Sequence, residues 1–410
     1  MSLNQIGYDG LMYASPDAKL YVNMGKSLVN GTNSFEHGFF IFGPGFAYFL
    51  ASFFKLFGKG LFPYILFQII VSGMSCLLIY RLCMELTDSY RISILSAILA
   101  VISYTSITLS IVILSDTVYM FVFLLSLIYL VRGLRKMRWR YFIICGFFAG
   151  LAGLIRSIGQ FWPLMILLMG IPYYHFQYRR LKSGAKMKTV VFRLVTAAII
   201  ATLIMSFWVI RNYRVHDIPA LASAGVMGAA KVAALSLEKI ENRPMAEIRR
   251  EWITEYTGHP ESTAVSLEES FHIEIDKTRE TFFKHPGPML RRYIGLTWDN
   301  LNATNFYHRI LLPQCQFLLK LEHKINHYDL NFLNFWISLT GMVVLIIRRQ
   351  FRVLIILGGV YIYYALLIGF NPWQGSRVFF PGQIAWTMLI SIVLVNLYDF
   401  LKKYLARRYS

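Results

Sequence analysis

Five charged residues stand out in this sequence, because they lie beside long apolar segments in which charge is otherwise rare. Asp116, Arg156, Arg211 and Arg377 are at the ends of such segments, and Asp17 lies in the mixed stretch that precedes the first of them. Guanidinium groups pair with phosphate and carboxylate oxygens through parallel N–H donors. Two acids and three arginines gathered on one side of a membrane therefore predict a site for an anionic substrate.

Each of these residues also has an ordinary structural explanation. Asp116, in Leu-Ser-Asp, precedes a predicted helix and could be its N-cap, and Asp17, in Ser-Pro-Asp-Ala, could start another. An arginine at the end of a membrane span is usually an interfacial anchor. Taken singly, the structural explanation is favoured; only the set as a whole indicates a site.

Two histidines have the spacing of metal ligands. His323 and His327 are four residues apart on a predicted helix. No third ligand is evident and the stretch adjoins an apolar segment, so a polar face beside the membrane is the favoured interpretation. We therefore predict no metal-ligating residues, and a divalent metal stays open as the one alternative for a cofactor.

The segments that must position these residues are too apolar for a soluble protein. Of 410 residues, 56% are hydrophobic and only 15% are charged, whereas soluble domains carry about 25% charged residues. Apolar blocks of about 18 residues can cross a hydrocarbon core as helices, which satisfy their own backbone hydrogen bonds. We predict an all-α polytopic membrane protein with about nine spans: 62–80, 92–114, 117–131, 141–155, 157–174, 194–210, 332–347, 353–370 and 380–398.

The placement of charge predicts the topology. No Asp, Glu, Lys or Arg falls within these blocks, which disfavours an ion-coupled transporter or pump. The net charge of +19 could suggest nucleic acid, but basic residues cluster in every second gap, as the positive-inside rule requires of cytoplasmic loops. We therefore predict membrane lipids and no nucleic acid as partners, a cytoplasmic C-terminus, and the five charged residues outside.

Four regions follow along the chain. Residues 1–61 form an external loop with interfacial helices, and residues 62–210 form a six-helix transmembrane region. Residues 211–330 are an extracytoplasmic segment, with helices predicted over Leu235–Tyr256 and Ser262–Lys284. Residues 331–410 hold three C-terminal transmembrane helices and a basic cytoplasmic tail.

Several short motifs occur in the order typical of one enzyme family. The sequence resembles GT-C glycosyltransferases, most of all the dolichyl-phosphate-mannose protein mannosyltransferase-like family, which includes the lipid A aminoarabinose transferases. The resemblance implies a GT-C helical bundle. The motifs are Ser15-Pro16-Asp17-Ala18, Gly43-Pro44-Gly45, Leu114-Ser115-Asp116, Gly150-Leu151-Ala152-Gly153-Leu154-Ile155-Arg156, Trp208-Val209-Ile210-Arg211-Asn212 and Ser376-Arg377-Val378-Phe379-Phe380-Pro381.

The resemblance implies transfer of a sugar from a polyprenyl-phosphate carrier to a lipid, glycan or protein acceptor outside the cytoplasm, with inversion. Asp17 would be the general base, and Asp116 would orient the acceptor or hold Asp17. Arg377, with Arg156 or Arg211, would neutralise the leaving phosphate. A bacterial inner membrane is the expected location.

Two alternatives and one departure stay open. An O-antigen ligase-type transferase would use a pyrophosphate-linked glycan, and a flippase or transporter would move the lipid-linked sugar intact. The family normally has a span before the loop aspartate, whereas this sequence begins inside that loop. If residues 39–57 formed a span, Asp17 would lie in the cytoplasm and the proposed site would be broken.

Overall fold

The computed structural model describes residues 16–32, 36–181, 186–257, 266–302, 327–371 and 377–408. Every regular element within those ranges is a helix. The predicted all-α class is therefore confirmed. His323 and the side chain of His327 lie outside the described part, so their proposed spacing stays a prediction.

The described part of the chain begins with three helices. They are α1 (Pro16–Asn30), α2 (Glu36–Phe42) and α3 (Gly45–Phe57). Gly43 has φ +83, a left-handed conformation that glycine adopts without steric cost, and it separates α2 from α3. With only 13 residues, α3 is too short to cross a hydrocarbon core of about 30 Å alone.

Long apolar helices confirm an integral membrane protein. Five in the described ranges are long and apolar enough to span, and a bent pair gives a sixth if it is counted as one span. The five are α4 (Leu61–Thr87), α7 (Ser115–Lys136), α10 (Met187–His216), α16 (Phe351–Ile368) and the segment Phe380–Arg408, which consists of a 3₁₀ turn and α17 (Gln383–Arg408). The bent pair consists of α5 (Tyr90–Val101) and α6 (Tyr104–Ile111).

The predicted count of nine spans is not confirmed. The block 141–155 corresponds to α8 (Trp139–Ile155), which has only 17 residues. The block 157–174 begins as a 3₁₀ turn at Ser157–Phe161, so that α9 (Trp162–Leu181) starts later than predicted. The block 332–347 lies in α15 (His327–Ile347), whose apolar part begins at Leu333. These helices are apolar but short.

Four helices occupy the described part of the polar segment after α10. They are α11 (Ala224–Glu241), α12 (Met245–Thr257), α13 (Leu267–Lys284) and α14 (Pro286–Asn302). The stretch predicted to be helical over Leu235–Tyr256 is divided between α11 and α12, because the chain turns at Asn242, which has φ 53, just before Pro244. The start of α13 has a reciprocal capping box between Ser266 and Glu269.

Glycines allow the helices nearest the site to approach one another closely. A Cβ on Gly150 of α8 would lie 2.7 Å from the Ile204 side chain of α10. A Cβ on Gly45, the first residue of α3, would lie 2.5 Å from the backbone carbon of Leu154. Small residues at such crossings let backbones pack without intervening side chains. The α3 helix is thereby seated against the end of α8, directly before Arg156.

The α7 helix lies at the centre of the bundle. Of its most apolar stretch 78% is buried, the largest share among the five long spans. Its hydroxyl groups are paired inside the protein: Tyr119 with Tyr364 of α16 at 2.8 Å, and Ser126 with the Trp162 indole at 3.0 Å. A central position for α7 fixes the residues at its first turn, which include Asp116.

Replacing Gly45 with alanine tests whether close contact between α3 and α8 is needed. The added methyl group must displace the backbone at Leu154, so we expect a loss of about 1–3 kcal/mol and a lower apparent melting temperature in detergent. Gly225→Ala is the matched control, because nothing lies within 4 Å of its added Cβ. Equal melting temperatures for the two variants would contradict the packing described here.

Candidate active site

Asp116 is placed by a buried loop between α6 and α7. Gln68 of α4 donates from its side-chain amide to the carbonyl oxygens of Leu109 at 2.8 Å and Val112 at 2.7 Å. Thr117 donates to the Leu109 carbonyl at 2.9 Å. These bonds hold the loop against α4, and α7 then begins with Asp116 in its first turn. A carboxylate there also interacts favourably with the helix dipole.

Arg156 reaches the same carboxylate from the end of α8. The helix stops at Ile155, and Arg156 takes an extended backbone conformation while its amide still bonds the Ala152 carbonyl. Its Nη1 donates to Oδ1 of Asp116. The first site pair therefore joins two neighbouring helices of the central bundle.

Arg377 connects the beginning of the described chain to its C-terminal helix. Its Nη1 donates to Oδ2 of Asp17 at 2.8 Å, and its Nε donates to Oδ2 of Asp116 at 3.2 Å. Asp17 lies in the first turn of α1, and Arg377 lies three residues before the 3₁₀ turn at Phe380–Gly382 that leads into α17. One guanidinium thus bridges carboxylates that are 99 residues apart in sequence, given their positions 17 and 116.

The exposure of these four side chains is graded. Asp116 is fully buried and Arg377 is 7% exposed, whereas Arg156 keeps 15% and Asp17 keeps 25% of its side-chain surface. Two carboxylates balance two guanidinium groups, as buried charges require. Asp17 is therefore the acid that a substrate outside the bundle can reach, and Asp116 is enclosed by its partners.

Tyr21 lines the same cluster one turn beyond Asp17. It is buried, and its ring packs edge-on against Phe46 of α3 with centroids 4.8 Å apart. Burial raises the pKa of Tyr21, with the charge of Asp17 adding to the rise, while a hydrogen bond with Ser115 opposes it. The phenol remains a neutral hydrogen-bonding group that ties α1 to the start of α7.

Arg211 has different partners from the other predicted arginines. Its guanidinium carbon lies 4.7 Å from the Trp208 ring centroid, and its Nη1 is 3.1 Å from the Asn212 side-chain oxygen and 3.4 Å from Nε2 of His216. His216 in turn pairs through Nδ1 with Glu268 of α13 at 2.6 Å. These contacts connect the end of α10 to the polar segment.

The structure thus brings together four of the five predicted site residues: Asp17, Asp116, Arg156 and Arg377. The site prediction did not include Gln68, which holds the loop before Asp116, or Tyr21, which hydrogen-bonds the neighbouring Ser115. A glutamine inside an apolar span was the available signal, because polar groups in membrane segments are rare and need a reason.

Metal ligands are a separate question from the ion cluster. Across the residues that the structure describes, no group of three or more His, Cys, Asp or Glu side chains is arranged to hold a metal ion. Asp116 is already enclosed by Arg156 and Arg377. The alternative of a divalent metal stays an untested prediction.

Known proteins resemble this chain in sequence and in fold. Residues 42–210, which include Asp116 and Arg156, match the profile of the dolichyl-phosphate-mannose-protein mannosyltransferase family. No curated protein sequence matches significantly.

Two solved structures are similar to the chain. The archaeal oligosaccharyltransferase AglB from Archaeoglobus fulgidus, in complex with an inhibitory peptide and a dolichol-phosphate, shares 14% identity with a TM-score of 0.52, over 95% of this chain and 47% of its own. ArnT from Cupriavidus metallidurans, in the apo state, shares 13% identity with a TM-score of 0.36, over 90% of this chain and 73% of its own.

The described chain spans about half the length of AglB, and at 14% identity this likeness concerns the fold alone. The family profile supplies the sequence relationship over residues 42–210. The matched range includes the motifs from Gly43-Pro44-Gly45 to the stretch that ends at Arg156, and the similar fold agrees with a helical bundle. Residues 42–210 are therefore similar in sequence to the dolichyl-phosphate-mannose-protein mannosyltransferase family, and the chain as a whole is similar in fold to AglB.

Proposed function

We propose that this protein is a membrane glycosyltransferase that moves a sugar from a polyprenyl-phosphate carrier to an acceptor on the extracytoplasmic side. The observation that carries the proposal is the bridge from Arg377 to both Asp17 and Asp116. It unites an accessible carboxylate with a guanidinium group at one end of the central helices. These are the two groups that hydroxyl attack and phosphate departure need.

The donor class is supported by the family relationship and by the chemistry of the cluster. AglB was solved with a dolichol-phosphate, and the matched profile is named for a dolichyl-phosphate-linked donor. Guanidinium groups suit a leaving phosphate because their paired donors match its oxygens. A polyprenyl chain would lie among the apolar helices while its phosphate reaches the arginines.

Charge distribution supports an extracytoplasmic site. The cluster is at the first turn of α7, and Arg135 and Lys136 are in the last turn of that helix. The α17 helix, which follows Arg377, likewise ends in Arg407 and Arg408. Basic residues mark the cytoplasmic ends of spans, so the opposite ends, with Asp17, face outside in this proposal.

The transfer proposed is a single displacement. The acceptor oxygen attacks the anomeric carbon, the bond from that carbon to the phosphate oxygen breaks, and the electron pair leaves on the carrier phosphate. The proton of the acceptor hydroxyl passes to Asp17, the exposed acid of the cluster. Attack opposite to the leaving group inverts the configuration at the anomeric carbon.

The donor phosphate would have to compete for arginines that are already paired. In the structure, Nη1 of Arg377 is bonded to Asp17, while its Nε is held by the buried Asp116. Exchange of the Asp17 bond for a phosphate bond would leave Arg377 anchored by Asp116.

Asp116 would serve as a positioning residue in this scheme. It holds Arg156 through Oδ1 and Arg377 through Oδ2 at the same time. Removing one partner of a buried charge cluster typically costs about 3–5 kcal/mol. The cluster thus fixes both guanidinium groups relative to α7.

Asp17→Asn tests the base. The amide keeps the shape of the side chain but cannot accept the proton, so we expect transfer to fall by about 10²–10⁴-fold with folding retained. The measurement is release of polyprenyl phosphate from a donor labelled in its sugar, with purified protein in liposomes.

Lys19→Gln, an exposed position on the same helix, is the matched control and should transfer at the parental rate. Near-normal turnover by Asp17→Asn would contradict the assignment. Labelled donor that crosses the membrane with its sugar–phosphate bond intact would instead favour a flippase.

Two conservative substitutions, Arg377→Lys and Arg211→Lys, distinguish the roles of these two arginines. Lysine at 377 keeps the charge but cannot reach Asp17 and Asp116 through two separate nitrogens as Arg377 does, so we expect Arg377→Lys to lower turnover by about 10²–10³-fold. Arg211→Lys should lose far less, because Arg211 contacts Trp208 and His216. Donor affinity and initial rates, with melting temperature as a check on folding, measure both. A greater loss for Arg211→Lys would place the phosphate at the end of α10.

A further inference from the structure

A groove lies in the polar segment, between α12 and α13. Three residues on each helix line it at positions i, i+3 and i+4, so each helix presents one face to the groove. The groove holds about 350 Å³ of space, part of it open to solvent. Its lining residues are Trp252, Glu255 and Tyr256 on α12 and Ile273, Asp276 and Lys277 on α13.

Aromatic side chains form one part of the groove wall. Trp252 is 6% exposed and packs with Ile273 in the apolar core of the polar segment, while Tyr256 is 53% exposed. The Tyr256 ring can therefore pack against a ligand, and Trp252 forms a rigid floor. Such rings combine apolar contact with a polar edge, which suits ligands that have apolar C–H faces and hydroxyl rims.

The charged side chains that line the groove give it a net negative charge. The Nζ atom of Lys277 lies 2.5 Å from a carboxylate oxygen of Glu255 and 3.1 Å from one of Glu280. The Lys277 side chain is 18% exposed. Burial disfavours its charged form, but these hydrogen bonds outweigh burial and raise the pKa of Lys277. Asp276 and Glu255 supply acceptors from opposite walls. A phosphate would meet net negative charge here.

The helices that form the groove are connected to the membrane-spanning helices through α14. Trp252 and Ile273 share their core with Leu296 of α14. Asn300 of α14 donates to the Ile368 carbonyl at 3.1 Å and to the Asn371 carbonyl at 3.0 Å, at the end of α16. A ligand held in the groove would therefore be held relative to the helices that carry the transfer site.

We propose that this groove binds a ring of a neutral or amino saccharide that belongs to a glycan acceptor. One face of the ring stacks on Tyr256, and its hydroxyl groups donate to Asp276 and Glu255 while Lys277 donates to a ring substituent. The inference rests on the proposed function, because a glycan acceptor gives the site its use. The groove would hold a sugar distant in the acceptor from the one that reacts.

Direct binding tests the proposal without turnover. The full-length protein in lipid nanodiscs is titrated with neutral trisaccharides of mannose, galactose and N-acetylglucosamine, and with a glucosamine trisaccharide, by saturation-transfer NMR and calorimetry. At least one should bind, and Tyr256→Ala should weaken it by about 3- to 10-fold. Asp276→Asn should weaken it as well.

Matched controls separate the groove from general surface effects. Tyr213→Ala removes another half-exposed tyrosine, and Asp299→Asn removes another exposed acid of the polar segment. Both should bind as the parent does. Binding by none of the trisaccharides, or equal binding by the groove and control variants, would overturn the proposal. Tyr256-dependent binding of an acceptor peptide in place of the sugars would overturn it too.

The Asp17→Asn variant keeps the two proposals apart. It should bind the trisaccharide as tightly as the parent, because Asp17 pairs with Arg377 in the ion cluster and is not a groove residue. Full transfer by this variant would defeat the proposed base and leave the groove intact. Loss of trisaccharide binding in Asp17→Asn would overturn the assignment of the sugar to this groove.

Discussion

The pairing of Arg377 with two carboxylates determines how the ends of this chain meet. A guanidinium with 7% of its side chain exposed must be compensated, because an unpaired charge in a low-dielectric interior is very costly. Asp116 supplies one partner from the central helix α7, and Asp17 supplies the other from α1. The start of the chain, the bundle centre and the C-terminal helix therefore share one electrostatic constraint, and the helix packing must satisfy it.

The same constraint gives the cluster a reason to be reactive. Asp116 is buried and paired with both arginines, so it can hold them without taking part in chemistry, while Asp17 stays within reach of solvent. A donor phosphate that binds Nη1 of Arg377 would take the place of Asp17 there. The bond between Arg377 and Asp17 therefore couples the proposed phosphate site to the proposed base.

The sequence predicted the helical class and most of the cluster, because charged residues are conspicuous at the ends of apolar blocks. It did not predict which residues pair, because a position at the end of a helix does not determine the direction in which the side chain points. Arg211 is at such an end, and its side chain contacts Trp208 and His216. The helix break at Asn242 was missed because apolar periodicity outweighed the signal of Pro244. Some blocks, such as 141–155, have the apolar composition of a membrane span but form helices that are too short to be counted as spans. The prediction of nine spans is therefore not confirmed.

The most direct test is an impermeant, short bifunctional thiol reagent applied to intact cells that carry Asp17→Cys with Arg377→Cys, in a background without Cys76, Cys83, Cys145 and Cys315. Mass spectrometry of the digested protein then reports whether the two peptides are joined. The account predicts a cross-link formed from outside, because the parental side chains are 2.8 Å apart and the cluster faces outward in our proposal. Reaction of either cysteine only after permeabilisation, or single labelling of both without a cross-link, would contradict it.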